Sequence, residues 1–174
     1  MFDDAPLLPW VPRLRRYAHA LAGSREDADD LVQDTLERAW SRAALWRGVV
    51  DMRAWLFSIM HNLHVDRLRK GRLATVPLDA ETPEETVAPA QDERLAVRDL
   101  QAALDRLPAE QREVLLLVAL EDMSYSQAAK VLGVPIGTVM SRLSRARVRL
   151  RELMEGGETA GRPATGQPQL RRLK

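Results

Sequence analysis

The sequence predicts an all-α protein of two small helical domains joined by a flexible linker. Apolar residues recur at helical spacing in both halves of the chain. Between the halves, residues 71–92, GRLATVPLDAETPEETVAPAQD, lose all period: Pro77, Pro83 and Pro89 interrupt an acidic, Thr- and Ala-rich tract that reads as a tether. Beyond it, MSYSQAAKVLGVPIGTVMSRLSRARVRLR, from Met123 to Arg151, has the form of two helices around a glycine turn. The expected division is a first domain over 1–72, a linker over 73–92, a second domain over 93–154 and a disordered tail over 155–174.

The first helix spans Pro9 to Ala22, where Leu14, Tyr17, Ala18 and Leu21 share a face, and Gly23 stops it. Ser24, with Asp27 three residues on, caps a second helix whose Ala28, Leu31, Val32, Thr35, Leu36, Ala39 and Ala43 cluster on the wheel. Opposite them Asp27, Asp30, Asp34 and Glu37 make an acidic ridge, either a solvated face or a dock for a basic partner. Gly48 breaks LWRGVV into a loop, after which Asp51 caps a third helix running to about Lys70. Met52, Trp55, Leu56, Ile59, Met60 and Leu63 form its apolar stripe, with Ser58, His61, Asn62, Val65 and Arg69 opposite. Its basic end, RLRKGR, suits both the helix dipole and a phosphate backbone. Trp55 belongs to the core, whereas Trp46, beside Arg47 and Gly48, could stack an unpaired base.

Helical pattern resumes at Glu93, and Pro108 opens the apolar helix PAEQREVLLLVALEDM. Ser124 with Gln127 forms a capping box for a short helix that Gly133 ends, and Pro135 suits the first turn of the next. Along that last helix Ile136, Val139, Leu143, Ala146 and Leu150 fall on one stripe, while Thr138, Arg142, Arg145 and Arg149 gather elsewhere with Ser141 beside them. The stretch from Met123 to Arg151 holds no acid but carries Lys130, Arg142, Arg145, Arg147, Arg149 and Arg151. In this motif the start of the second helix enters the major groove, so Thr138, Ser141, Arg142 and Arg145 are placed for bases and nearby phosphates. Arg147, Arg149 and Arg151 go to phosphate or solvent; the bland alternative for the whole face is a solvated basic surface.

Composition bounds the function. With 26 basic and 25 acidic residues among 174, any polyanion contact must come from segregated patches. There is no cysteine, which excludes disulfide staples and thiol chemistry. No run of about 18 apolar residues and no cationic-then-apolar leader occurs, so a cytoplasmic protein without membrane insertion is expected. His61 and His64 lie three apart, but no third metal ligand accompanies them, and they read as a helix-surface pair. Phosphate-binding loops, dinucleotide fingerprints and nucleophile elbows are lacking, so neither an enzyme nor a bound cofactor is expected. A helix-turn-helix regulator that binds duplex DNA alone, using its first domain to dimerise, is an alternative.

Three segments, ADDLVQDTLERAW, WRGVVDMRAWLFSIMHNLHVDRLRK and LPAEQREVLLLVALEDMSYSQAAKVLGVPIGTVMSRLSRARVRLR, together resemble the sigma-70 family of RNA polymerase sigma factors, in its extracytoplasmic-function (ECF) subgroup. The resemblance implies a sigma-2 domain followed by a sigma-4 domain. It implies that the ridge Asp30, Gln33, Asp34, Glu37 and Arg38 docks on the beta-prime clamp helices of core polymerase, with a further contact at the beta flap. Single-stranded minus-10 DNA then falls to Trp46, Arg47, Gly48, Val49, Val50, Asp51 and Met52, with His61, Asn62, Asp66 and Arg69. Duplex minus-35 DNA falls to Thr138, Ser141, Arg142 and Arg145, with Lys130, Arg147 and Arg149 on the backbone. An anti-sigma factor is the implied controller, and no obligate homo-oligomer is expected. The loop departs from the family in carrying Val49, Val50 and Met52 where polar residues give clearer base readout.

Overall fold

The computed structural model describes residues 7–73 and 91–160, and every regular element among them is helical. A 3-10 turn, Leu8–Trp10, leads into α1 (Val11–Leu21), whose buried residues are Leu14, Tyr17, Ala18 and Leu21, the stripe expected from spacing. Ala22 is extended, and Ser24 starts α2 (Arg25–Trp40) by accepting the Asp27 N–H on its hydroxyl at 3.1 Å. Inside α2, buried Thr35 donates to the Leu31 carbonyl at 2.7 Å, so its hydroxyl costs the core no unpaired donor. The expected loop after α2 is a second 3-10 turn, Ala43–Gly48. Asp51 then caps α3 (Met52–Leu73), its Oδ1 accepting the Ala54 N–H at 3.0 Å.

These three helices pack on Leu14, Leu31, Leu56, Phe57 and Met60. Phe57 lies outside the expected α3 stripe, yet it is 1 % exposed and meets Tyr17 edge to face, centroids 5.1 Å apart. Residues 74–90, most of the expected linker, lie outside the described residues, as do 1–6 and 161–174.

The second half contains α4 (Gln91–Asp105), α5 (Ala109–Leu115), α6 (Tyr125–Leu132) and α7 (Ile136–Ala160). The apolar helix expected from Pro108 is α5 followed by one wide, π-type turn over Leu116–Leu120, closed by the Glu121 N–H on the Leu116 carbonyl at 3.1 Å. Val114 to Leu117 are buried there. Ser124 and Gln127 form the full capping box of α6, and Gly133 ends it in the left-handed region at φ 63. Along α7 Val139, Leu143 and Ala146 are buried and Leu150 partly so, while Ile136 in the first turn stays 49 % exposed. Past Met154, where the tail was expected to begin, α7 continues as far as Ala160.

The two halves are docked. α3 packs against α6, and α1 against α4 and the Leu116–Leu120 turn, so the buried residues of both form one apolar cluster. Gly133 holds the angle between the helices of the helix-turn-helix, and its φ suits a residue without Cβ. Gly133→Ala should cost about 1–2 kcal/mol of stability and Gly133→Asn less; equal urea midpoints for wild type and the alanine variant would remove that role.

Candidate nucleic-acid and polymerase interface

The burial of Val139, Leu143 and Ala146 against α5 and α6 turns the opposite side of α7 outward. Arg145, Arg147 and Arg149 are exposed on it, with Lys130 on α6. Ser141 is exposed but donates its hydroxyl to the Thr138 carbonyl at 3.1 Å, and Thr138 is half-buried. Arg142 is not free: its Nη2 meets Glu110 Oε2 at 2.8 Å, and its side chain is 22 % exposed. Glu110 belongs to α5, so the fold brings an acid to a face that is acid-free in its own sequence. An ion pair with so exposed a carboxylate is weak and exchangeable. The pair can hold the guanidinium in place until a phosphate or base edge replaces the carboxylate.

The α2 ridge is as expected in outline. Asp30, Gln33, Glu37 and Arg38 are exposed, and Gln33 donates to Glu37 Oε1 at 2.9 Å. Asp34 is the exception, taking a charge-assisted hydrogen bond from Arg67 of α3. Beside Glu37 an open hollow of about 440 Å³ is lined by Leu7, Leu8, Val11, Leu36 and Trp40.

The third group of candidates is divided. Trp46 and Arg47 lie in the turn Ala43–Gly48, their side chains outside the described residues; Gly48 and Val50 are exposed, and Val49 and Met52 half-buried. Asn62, Asp66 and Arg69 are exposed along α3. His61, expected beside Asn62 on an outward face, is instead covered by the second domain: its Nδ1 lies 2.9 Å from Glu113 Oε1, and its side chain is 15 % exposed. Asp51 is engaged at both carboxylate oxygens, by the Ala54 N–H and by Gln127 Nε2 at 3.0 Å. Those hydrogen bonds, the backbone one foremost, hold its carboxyl below the usual carboxylate range. The caps of α3 and α6 are thus bonded to each other, since Gln127 Oε1 also accepts from Arg53 Nη2 at 3.2 Å.

Sequence reasoning missed the partners in this junction. Glu121 is fully buried, with Arg13 Nε at 3.0 Å and Arg16 Nη2 at 2.9 Å on its two oxygens. Arg53 Nη1 donates to the Glu121 carbonyl at 3.1 Å, and Arg112 Nη1 to that of Leu21 at 3.0 Å. A signal existed: Glu113 and Glu121 bracket the run VLLLVAL, where a carboxylate must find a partner or stay outside. The Tyr17 hydroxyl is buried and finds no partner among the described residues, and desolvation, then Glu113 and Glu121, push it well above its usual range, so it stays a neutral phenol. Among the described residues no three His, Cys, Asp or Glu are grouped to hold a metal.

A helix-turn-helix with an outward basic helix, docked on a three-helix bundle with an acidic ridge, defines a two-domain DNA-binding protein. Residues 7–61 match the family model described as Sigma2 domain of PhyR, and residues 98–150 match Sigma-70, region 4. The chain is 39 % identical to the ECF RNA polymerase sigma factor EcfG of Rhodopseudomonas palustris, over 91 % of this chain and 88 % of that one. It is 38 % identical to the ECF RNA polymerase sigma factor SigE of Mycolicibacterium smegmatis, over 91 % of this chain and 67 % of that one. The sigma factor RpoE of Bartonella quintana, solved in complex with the anti-sigma factor NepR, matches with a TM-score of 0.73 and 38 % identity, over 87 % of this chain and 95 % of that one. The chain therefore belongs to the ECF sigma factors, a non-catalytic class of transcription initiation factor.

His64 gives the junction a pH dependence. Desolvation, the largest influence, outweighs the pull of Glu113 and holds His64 below its ordinary pKa. Below about pH 6.5 the unfolded chain then binds more protons at this position than the folded one, so folding stability falls as pH drops through that value. His64→Gln should flatten the urea-midpoint profile between about pH 7 and pH 5; parallel profiles for the two proteins would contradict this.

Proposed function

We propose that this sigma factor docks on core RNA polymerase through Asp30, Gln33, Asp34, Glu37 and Arg38, and that the acidic face meets a basic surface of the beta-prime clamp helices. The exposed basic side of α7 carries the promoter reading. Thr138, Ser141, Arg142 and Arg145 contact bases of duplex minus-35 DNA, and Lys130, Arg147 and Arg149 contact its phosphates. The minus-10 element is taken as a separated strand by residues 46–52 with His61, Asn62, Asp66 and Arg69, where trapping an extruded base offsets part of the unpairing cost. The sigma-2 domain is assigned to 1–72 and the sigma-4 domain to 93–154. Support comes from the family membership together with one observation: a helix-turn-helix whose second helix turns its arginines outward while its apolar stripe packs inward.

By likeness to a relative solved with an anti-sigma factor, control falls to a protein of that kind. No helix among the described residues is long and apolar enough to cross a membrane, and the cytoplasm, where polymerase and promoter meet, is the assigned place of action.

Run-off transcription on a genomic fragment library tests the whole reading: transcripts should start at a small promoter set only when both this chain and core polymerase are present. Specific duplex binding by the chain alone would favour an ordinary helix-turn-helix regulator. Reversing charge at Asp30, Asp34 and Glu37 together should abolish transcription while leaving the circular dichroism spectrum intact, and full activity would refute the docking role. Arg142→Ala and Arg145→Ala should each cost about 1–3 kcal/mol of promoter binding, concentrated on particular minus-35 base pairs. A loss uniform across promoter sequences would move these arginines to phosphates.

A further inference from the structure

We infer that Glu110 is a specificity-determining residue of the duplex reading: joined to Arg142, it screens that guanidinium from phosphates and completes with it a reader of one G·C base pair. The inference rests on the minus-35 role proposed for α7 and adds a residue from outside the helix-turn-helix.

Packing makes the juxtaposition. α5 lies against α7, where Val114 of the one and Val139 and Leu143 of the other are buried. Glu110, in the first turn of α5, is thereby set beside the second turn of α7. Its Oε2 lies 2.8 Å from Arg142 Nη2. Arg145, Arg147 and Arg149, further along the same helix, are exposed, while the Arg142 side chain is only 22 % so. The pair therefore singles out the arginine nearest the start of the reading helix, the end that enters the groove.

The two side chains offer complementary groups. Arginine has five donors and no acceptor, and the carboxylate takes Nη2 alone, so Nε and Nη1 keep their donors among the described residues. Glutamate supplies acceptors only; the Glu110 side chain is 69 % exposed, and its Oε1 has no partner among the described residues. In the major groove a G·C pair presents guanine O6 and N7 as acceptors, with the cytosine amino group as a donor beside them. Arg142 can meet the first two while Glu110 meets the third, and their own ion pair is kept. On an A·T pair the adenine amino group would face the guanidinium and thymine O4 the carboxylate, donor on donor and acceptor on acceptor.

A phosphate offers no donor at all. To reach Arg142 it must displace Glu110 and bear the repulsion of the carboxylate left beside it, so the pair penalises the sequence-independent contact that every duplex provides. A repulsive element of this kind raises specificity by weakening the wrong complex.

The test uses the full chain with core polymerase and a pool of duplexes randomised across the minus-35 element, the bound fraction being sequenced. Wild type should favour G·C at one position by about tenfold or more, the discrimination of a good base contact. Glu110→Gln, which keeps the shape and removes the charge, should cut that preference at least about threefold, at that position alone. Its affinity for duplexes of unrelated sequence should rise about two- to fivefold, the span of an exposed charge pair. Arg142→Ala should lose the same preference, and adding Glu110→Gln to it should change the profile no further, as for two residues acting as one unit. A merely structural pair would lower the urea midpoint of Glu110→Gln and leave its sequence profile at wild type; that result, or a preference lost evenly at all positions, would overturn the inference. A wild type that selects no minus-35 sequence would refute the promoter reading and the inference with it, whereas an unchanged Glu110→Gln profile beside a selective wild type would leave that reading standing.

Discussion

A carboxylate buried in a protein must be given back the interactions that water supplied, and the arrangement of this molecule depends on how Glu121 is given them. Its own domain offers none of its side-chain donors; Arg13 and Arg16 of α1 supply both. Once that requirement is met, the other contacts across the junction fall into register. The caps of α3 and α6 meet through Asp51 and Gln127, Glu113 reaches His61, and Arg112 closes on the carbonyl end of α1. Beside the apolar cluster that the two halves share, charged hydrogen bonds with directional donors define one relative placement.

The charge on the surface is arranged by the same economy. The chain is nearly neutral, with a formal net charge of +1, yet the stretch from Met123 to Arg151 carries six basic residues and no acid, and α2 carries six carboxylates. Segregated charge of this kind guides association with oppositely charged partners and sets the register of encounter. Internal pairs soften both faces: Glu110 holds Arg142, and Arg67 holds Asp34. Exposed pairs of this strength are exchanged readily for an external partner. A sigma factor, whose family implies both polymerase and promoter DNA as partners, is served by surfaces that stay quiet until a stronger partner arrives.

Much of this was legible residue by residue. The α1 stripe, the Ser24 and Asp51 caps, the Ser124 and Gln127 box and the helix end at Gly133 were read from spacing and residue type. Each depends on groups within about four positions of one another, the range over which a helix brings residues together. Phe57 escaped the α3 stripe, and His61 was placed on an outward face, for one reason: α3 is covered on more than one side, with Tyr17 of α1 against Phe57 and Glu113 of α5 against His61. A helix packed on two faces loses the single apolar stripe on which wheel reasoning relies.

By itself the sequence determined the helices, their ends, the inward stripes and the separation of acid from base, because local spacing and local hydrogen bonds decide all of these. Only the tertiary structure decided which charges meet: Arg13 and Glu121 are 108 positions apart, and Asp51 and Gln127 are 76. Pairing over such distances depends on where whole helices settle, and no periodicity along the chain records it.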